Sequence, residues 1–385
     1  MAKYYLTLKN FHSVPTAYQD DITRFHELTG KNIGNLVFRK GLASIIKDLA
    51  SYTRITFQDL ASNPEIYKDA EIVVVSCANW LGTSPMHERA NKSRANLLSK
   101  FSCPVVAFGL GIQGPEDIAS ISLGPNTVRL AKVLSQKSRF ISCRCQSTAR
   151  TLNSHGISNA AVTGCPSNFI NLQLKRSDYR QISSQRAASR NVSCLISEVT
   201  HGNQDSVQFI KQAFSVLAST PSKYVLQVAP LLELIYSKSN MLPADYQKAL
   251  PDMPQNRIIN LVKDKTLAFS SVDDWLFAAR RFDFSYGMRM HGSMVPLQAG
   301  VPTVIITHDK RTKELAEVMS LPRVDIKTFI GYKSESVTTI YDHFWSGLDT
   351  YLATRITLAN RFSEFLDENG LKASDEFMQY CNASP

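Results

Sequence analysis

The sequence has little of what marks the unusual protein classes. Its 385 residues include only 17 Gly and 16 Pro, too few for a collagen-like or low-complexity chain. No apolar run reaches the roughly 18–20 residues that span a bilayer, and the first residues lack a signal-peptide hydrophobic segment. Hydrophobic residues make up 44% of the chain, as in folded proteins, and the length suits two α/β domains. We therefore expect a folded cytoplasmic protein.

Cysteine is scarce and scattered, and several catalytic motifs are missing. The seven cysteines stand mostly inside apolar segments, as buried thiols of a reducing compartment do. Cys143 and Cys145 have neither zinc-finger nor C-x-x-C spacing, so we expect no metal site. The sequence contains no G-x-S-x-G, Walker A, H-E-x-x-H or paired D-x-D motif. Their absence argues against hydrolases, ATPases, metalloproteases and metal-dependent transferases.

Acidic residues are the minority, with 33 Asp and Glu against 43 Lys and Arg and a net charge of +10. The basic residues are dispersed, and no nucleic-acid-binding motif accompanies them. A phosphorylated small molecule or an anionic membrane surface would suit this charge as well as a nucleic acid. The charge therefore indicates an anionic partner without choosing among these.

Short β-branched runs alternate with helical patterns, which is typical of parallel sheets covered by helices. The predicted strands cover residues 72–76, 105–108, 140–142, 161–163, 192–196, 224–228, 282–286 and 303–307.

A polar, aperiodic segment at residues 171–190 predicts a linker that divides the chain. It separates an N-terminal α/β domain (1–170) from a C-terminal α/β domain (191–341), which is followed by helices (342–385). We expect two doubly wound, Rossmann-like domains that face a central cleft at the carboxyl ends of their strands.

The segment at residues 271–322 carries the clearest chemistry, because its pattern places Arg289 and His291 between a strand and a helix. Free backbone N–H groups and the helix dipole make such a position an anion site, to which Gly292 and Ser293 also belong. Arg289 can hold a phosphate or carboxylate through paired hydrogen bonds, and His291 can exchange a proton near neutral pH. The alternative is that Arg289 pairs with a structural carboxylate and that His291 caps the helix. The strand–glycine–helix context favours the functional interpretation.

Further candidates stand at the ends of other predicted strands. Arg144 ends an apolar strand, where a charge is costly unless it is paired or bound to a ligand; an internal salt bridge is the alternative. Gly109, Gly111 and Gln113 belong to a loop that formally matches G-x-G-x-x-G but lacks the context of a dinucleotide site. We interpret it as a tight cleft loop, with a purely structural turn nearly as well supported. Glu198 follows the first strand of the second half, where a surface position is the usual explanation.

The sequence G-M-R-M-H-G at residues 287–292 resembles the signature of the polysaccharide pyruvyl transferase family, together with A-G-V-P at 299–302 and H-D at 308–309. In that family a strand ends in a small-x-Arg-hydrophobic-His pattern and is followed by a helix and A-G-[IV]-P. Weaker resemblances lie upstream, at residues 30–35, 141–144 and 164–167. The sequence departs from the family at Asn79, in a turn that is often rich in glycine there.

The resemblance implies a two-domain fold like that of the GT-B glycosyltransferases. It implies transfer of a pyruvyl group from phosphoenolpyruvate to two hydroxyls of a saccharide, giving a cyclic ketal. Arg289 and His291 would be catalytic, with His291 as the general acid/base. The expected donor contacts are Arg144, Arg289, Gly292, Ser293, Asp309, Lys310 and Arg311. The cleft loops are expected to contribute Asn32, Gly34, Asn35, Asn79, Gly109, Gly111, Gln113 and Glu198.

This scheme needs no cofactor and no metal, since phosphoenolpyruvate is the donor substrate. The acceptor would be a saccharide or lipid-linked oligosaccharide of exopolysaccharide, capsule or cell-wall glycan biosynthesis, and no nucleic acid takes part. The positive charge is compatible with peripheral contact at the cytoplasmic membrane face. Two alternatives stay open: a GT-B nucleotide-sugar glycosyltransferase with a diphosphate at Arg289 and His291, and a non-catalytic glycan- or phosphate-binding protein.

Overall fold

A computed structural model gives the fold. It describes residues 2–7, 13–14, 21–113, 122–182, 192–200, 202, 204–236, 241–333 and 336–383. The strands, in chain order, are β1 (Ala2–Leu6), β2 (Thr53–Ile55), β3 (Ala70–Ser76), β4 (Leu81–Gly82), β5 (Val105–Phe108), β6 (Ile112–Gln113), β7 (Ile141–Cys143), β8 (Ala160–Val162), β9 (Cys194–Ser197), β10 (Lys223–Val225), β11 (Thr266–Leu267), β12 (Phe284–Gly287), β13 (Thr303–Thr307) and β14 (Arg323–Asp325).

Helices connect these strands. In chain order they are α1 (Ile22–Thr29), α2 (Gly34–Ile45), α3 (Phe57–Ser62), α4 (Glu65–Asp69), α5 (Pro85–Leu98), α6 (Pro125–Lys137), α7 (Gln146–Ser154), α8 (Gln204–Ser219), α9 (Ala229–Tyr236), α10 (Ala244–Ala249), α11 (Gln255–Lys265), α12 (Val272–Ala279), α13 (Met290–Gln298), α14 (Lys310–Val318), α15 (Ile326–Gly331), α16 (Val337–Phe344), α17 (Leu348–Glu368) and α18 (Asp375–Cys381). Short 3₁₀ turns lie at Leu49–Ser51, Pro166–Phe169 and Arg176–Asp178.

The N-terminal sheet is parallel and has the strand order β2–β1–β3–β5. Val73, Val74 and Val75 follow one another in β3 and are all buried, because helices cover both faces of a parallel sheet. The order of the strands reverses between β1 and β3. Such a reversal opens a crevice at the carboxyl ends of the two strands.

The C-terminal sheet is also parallel, with the order β11–β10–β9–β12–β13–β14. Taken in chain order this is the 3-2-1-4-5-6 arrangement of a Rossmann domain, with its reversal between β9 and β12. The α/β class, the parallel sheets and the helical C-terminus predicted from the sequence are confirmed.

The C-terminal helices pack back on the N-terminal half. The rings of Phe365 and Phe108 lie 5.1 Å apart, and Phe169 contacts Phe362 at 5.6 Å. Arg355 is fully buried and donates from Nε to the Asn168 carbonyl at 2.8 Å. The long helix α17 therefore packs into the hydrophobic core of the N-terminal half. In the described part of the chain, no helix is both long and apolar enough to span a bilayer.

The first residues of the predicted linker are packed. Tyr179 is buried, and its hydroxyl donates to the Leu297 carbonyl at 2.8 Å. Arg176 donates from Nε to Asp349 at 2.6 Å. The remainder of the linker, residues 183–190, lies outside the described residues, so the domain division stays a prediction.

Limited proteolysis tests that division. The polar sequence at residues 183–190 predicts that trypsin cuts first after Arg186 or Arg190, since linkers between compact units are the preferred cleavage sites. Arg176 is held by Asp349 and should be cut later. Mass spectrometry of the earliest fragments gives the order. First cuts within residues 72–114 would contradict the two-domain division.

Candidate functional site

The reversal point of the C-terminal sheet places Arg289 beside the end of β9. Gly287 ends β12 and pairs in register with Ser197, the last residue of β9. A side chain at Gly287 would run into the Ser197 hydroxyl and backbone. Glycine therefore lets the chain turn tightly from β12 into α13. The Ser293 hydroxyl, in the first turn of that helix, lies 3.1 Å from the Ser197 hydroxyl and fixes the turn.

Helix α13 presents its amino end at this point. Arg289 is the N-cap residue, His291 lies in the first turn, and this turn contains no acidic side chain. A helix start leaves its first N–H groups without helical partners, and the dipole adds positive potential there. The helix ends before Gly300, whose φ of +82° suits glycine. This geometry is compatible with the anion site predicted at Gly292, whereas the Ser293 amide already donates to the Arg289 carbonyl at 3.0 Å.

Arg289 is partly exposed and lightly bound. Its Nε donates to the Val199 carbonyl at 3.1 Å, and it makes no ion pair with any residue that the structure describes. The carboxylate partner considered as the structural alternative is thus not found among those residues. The terminal N–H groups of Arg289 are the donors that can grip an oxyanion.

His291 lies against the N-terminal half of the chain. Its Nε2 is 3.7 Å from the Cys165 thiol, and a Cβ added at Gly34 would lie 2.9 Å from its Nδ1. Burial lowers the pKa of His291 to about 3, and the nearby charges of Arg144 and Arg311 contribute. The ring is therefore neutral at physiological pH. Its ring bonds no backbone group of the described residues, so the capping alternative is not found among them.

Arg144 is a buried cation. Its NH1 donates to Asn79 Oδ1 at 3.1 Å, its guanidinium lies 5.2 Å from the Phe38 ring centroid, and its Nε has no hydrogen-bond partner among the described residues. Burial lowers the pKa of this guanidinium. No described carboxylate pairs with it, so the internal salt bridge is not found there. A buried cation without a counter-ion is costly unless a ligand supplies one.

Asp309 is engaged at the start of α14. Its carboxylate accepts from the Thr312 amide at 2.6 Å and lies 3.3 Å from Arg311 NH2. Burial alone would raise the pKa of Asp309, but Arg311, His308 and the Thr312 hydrogen bonds hold it below its usual value. Asp309 therefore caps the helix and orients Arg311, and the donor contact expected of it stays a prediction. Lys310, the first residue of α14, is partly exposed.

The N-terminal loop brings Gly34 to His291. Asn32 Oδ1 accepts from the Gly34 amide at 2.8 Å, and Asn35 Nδ2 donates to the Thr29 carbonyl at 2.9 Å. The Ile33 amide donates to the Gln227 carbonyl of the other half. Asn32 and Asn35 thus shape the turn, and the backbone of Gly34 lies close to the imidazole of His291.

Replacing Gly34 with Ala should displace His291 without removing any ionisable group. The new Cβ would meet Nδ1 and Cβ of His291 at 2.9 and 3.0 Å, closer than side chains tolerate. We expect at least a tenfold loss of activity, since an ångström of misplacement can cost about 10²-fold, with the melting temperature changed little. Gly331→Ala, at a helical glycine with open space around it, is the control. Full activity of Gly34→Ala would remove the loop from the site.

The other predicted cleft loops divide into two groups. Gly109, at φ +67°, lies against the Phe38 ring, and the Gly111 amide donates to the Ala78 carbonyl at 2.9 Å. Together with Asn79 these glycines wrap Arg144. The backbone of Gln113 pairs instead with Gly82 in a short separate ladder.

Glu198 is fully buried, and its carboxylate accepts hydrogen bonds from backbone amides. Its Oε2 accepts from the amides of Gln227 and Val228 at 2.6 and 3.0 Å. The surface position weighed as the alternative for Glu198 is not what the structure shows, because the buried carboxylate joins the end of β9 to the loop after β10. Its predicted contribution to the cleft stays a prediction. The same loop holds Ile33.

Two contact residues were missed by sequence reasoning. Cys165 stood only in a segment of weak family resemblance, yet its thiol faces His291 and accepts from the Ser167 hydroxyl at 3.1 Å. Gln227 follows a short strand, and its Oε1 is buried near Gly292 without a hydrogen-bond partner among the described residues. No signal in the sequence indicated a buried amide oxygen beside the predicted anion site.

Known proteins provide a comparison. The polysaccharide pyruvyl transferase family pattern matches residues 32–310, well over half of the chain. Among solved structures, the chain is similar to Anabaena HepE in complex with UDP and glucose, at 11% identity and a TM-score of 0.45, over 95% of this chain and 99% of that one. It is also similar to S. aureus MnaA with UDP, at 10% identity and a TM-score of 0.45, over 97% and 100% of the two chains. No curated protein matches the sequence significantly.

Proposed function

The chain belongs to the polysaccharide pyruvyl transferase family, and on this premise we propose that it transfers the pyruvyl group of phosphoenolpyruvate to two hydroxyls of a saccharide as a cyclic ketal. The observation that carries the proposal is the arrangement around His291. A neutral imidazole lies beside Arg144 and Arg311, at the start of a helix whose N-cap is Arg289.

The donor carries negative charges that would balance the cations of this arrangement. Phosphoenolpyruvate carries a phosphate and a carboxylate, and both need cationic partners. Arg289 and Arg144 have no described counter-ion, and the start of α13 adds backbone donors. In the proposal these groups hold the donor, and Arg311, oriented by Asp309, supplies a further charge.

The reaction then requires proton transfers that balance. C3 of the donor gains a proton while the first acceptor oxygen bonds to C2 and loses its own. The C2–O bond to phosphate breaks, phosphate leaves with the electron pair, and the second hydroxyl oxygen adds to C2. The two hydroxyl protons end on C3 and on the released phosphate, so the net reaction releases no proton.

His291 is the group proposed to move these protons. In the free protein burial and two arginines keep it neutral, which is the form that accepts a hydroxyl proton. A bound anion offsets the positive charges nearby and raises the pKa of the ring, because it favours the imidazolium. Donor binding therefore turns a weak base into a group that can take up a proton and pass it on.

Donor dependence tests the proposed function. Phosphate release should require both phosphoenolpyruvate and a saccharide, and the matched reactions with UDP-glucose or UDP-N-acetylglucosamine should release no UDP. Protection against thermal unfolding by UDP, with no release of phosphate from phosphoenolpyruvate, would favour a nucleotide-sugar glycosyltransferase. Saccharide binding without turnover of any donor would favour a binding protein.

A further inference from the structure

A cavity lies at the reversal point of the N-terminal sheet. It encloses about 600 Å³ and is lined by Leu6 and Thr7 at the end of β1 and by Ser76 at the end of β3. Open α/β sheets bind ligands at such reversal points, and the volume falls within the roughly 300–1,000 Å³ of ligand sites. Asn35, Thr56 and Gln58 add polar groups to its wall. The cavity therefore suits a ligand rich in hydroxyls.

The cavity wall also carries excess positive charge. Arg24, Arg39 and Arg94 line it, against one acidic residue, Glu27, which lies 2.7 Å from Arg24. Arg39 is only 3% exposed, and burial lowers its pKa. Arg24 and Arg39 are engaged within the protein, so Arg94 is the cation of this wall that most favours an anionic group in the ligand.

Aromatic rings hold the side chain of Arg94 in place. Its guanidinium lies 4.4 Å from the Trp80 ring centroid and 5.9 Å from that of Phe57. NH1 donates to Asn91 Oδ1 at 2.8 Å, and no ion pair with a described residue accompanies this bond. Two rings and one amide thus fix the plane of a guanidinium, and an oxyanion can use its other N–H groups.

The cavity adjoins the candidate donor site. Phe38 lines the cavity, and the Arg144 guanidinium lies 5.2 Å from the centroid of the same ring. Ala78 also lines it, and the next residue, Asn79, accepts a hydrogen bond from Arg144. A ligand in the cavity would therefore lie one side chain away from a donor held by Arg144.

We propose that this cavity binds the acceptor saccharide and that the acceptor carries an oxyanion group, a phosphate or a carboxylate, which Arg94 holds. That this ligand is the acceptor rests on the proposed function, whereas the binding of an anionic saccharide in the cavity does not. The proposal predicts discrimination between sugars that differ only in charge, and it predicts that this discrimination depends on Arg94.

Calorimetric titration of the full-length protein tests the cavity. The probes are glucose, galactose, mannose and N-acetylglucosamine, their 1-phosphates, the uronic acids of the first three, and inorganic phosphate. At least one charged form should bind at least tenfold more tightly than its neutral sugar and than inorganic phosphate. The phosphate and carboxylate series show which oxyanion is preferred. No probe binding, or equal affinity for charged and neutral forms, would overturn the proposal.

Matched variants assign the effect to Arg94. Arg94→Gln should abolish the tenfold preference, and Arg94→Lys should keep part of it, because charge stays but the planar fork is lost. Arg129→Gln removes the same charge from an exposed arginine that is bound to Asn96 and should bind like the wild type. An unchanged preference in both Arg94 variants, or an equal loss in Arg129→Gln, would refute the assignment.

The two proposals fail in different ways. If donor-dependent phosphate release does not change with the Arg94 variants or with the charge of the acceptor, the proposal for the cavity is refuted and the proposed pyruvyl transfer is not. Charge-dependent sugar binding with no turnover of phosphoenolpyruvate would do the reverse. Phosphoenolpyruvate affinity serves as a further control, because it should be the same in Arg94→Gln and in the wild type.

Discussion

Replacing His291 with Ala should lower kcat by about 10²–10⁴, the usual contribution of a general acid/base. The affinity for phosphoenolpyruvate should change much less, because Arg289, Arg144 and the start of α13 remain. Steady-state kinetics with purified protein separate the two effects. His155→Ala, at the end of α7, changes a histidine outside the cluster and should leave both constants unchanged.

His291→Gln distinguishes proton transfer from anion binding. Glutamine keeps a hydrogen-bond donor but cannot titrate, so it should be as impaired as alanine if the ring moves protons. A Gln variant with nearly wild-type kcat would end the acid/base assignment. The pH profiles give a second criterion: because the pKa of the free ring is about 3, kcat/KM for the donor should show no histidine ionisation between pH 5 and 8. In kcat, which reports the complex, the ionisation should appear at higher pH than in the free protein.

Replacing Arg289 with Ala should weaken donor binding by about 10- to 100-fold, as expected from the roughly 1.5–3 kcal/mol of a hydrogen bond to a charged group. The fold should survive, since among the described residues the side chain makes one hydrogen bond, to the Val199 carbonyl. Lys should restore binding only in part, because it lacks the planar fork. Titration with phosphoenolpyruvate and thermal unfolding measure the two properties.

Arg281→Ala is the matched control for Arg289, because Arg281 is an exposed arginine of the same half that packs over the Phe277 ring. It should bind the donor normally. Normal donor affinity in Arg289→Ala would remove Arg289 from the site.

The sequence was most informative where chemistry is local. Arg289 and His291 could be located because a strand, a glycine and a helix start follow one another within a few residues. Strands 105–108 and 303–307 agree with the structure residue for residue. β1 and β2 were missed, since β2 has only three residues and β1 lies at the very start of the sequence without a neighbouring pattern.

Contacts between distant segments could not be predicted in this way. Gly34 and Cys165 meet His291 because helix α2 packs on the turn at Pro166–Phe169, where Gly41 lies directly against the Pro166 carbonyl. Arg94 looked like one dispersed basic residue on a polar helix, and only tertiary structure places it over Trp80. Glu198 shows the same limit: a carboxylate after a strand normally faces solvent, and only the tertiary structure shows that this one accepts from the Gln227 and Val228 amides.

The most direct measurement of the central claim is mass spectrometry of saccharides incubated with the protein and phosphoenolpyruvate. A panel of free and phosphorylated sugars should include one that gains the mass of pyruvic acid minus one water. One phosphate should be released for each product formed, and His291→Gln should form almost none. A product that gains a sugar from a UDP-sugar donor, or a panel unchanged by phosphoenolpyruvate while no phosphate is released, would contradict the account.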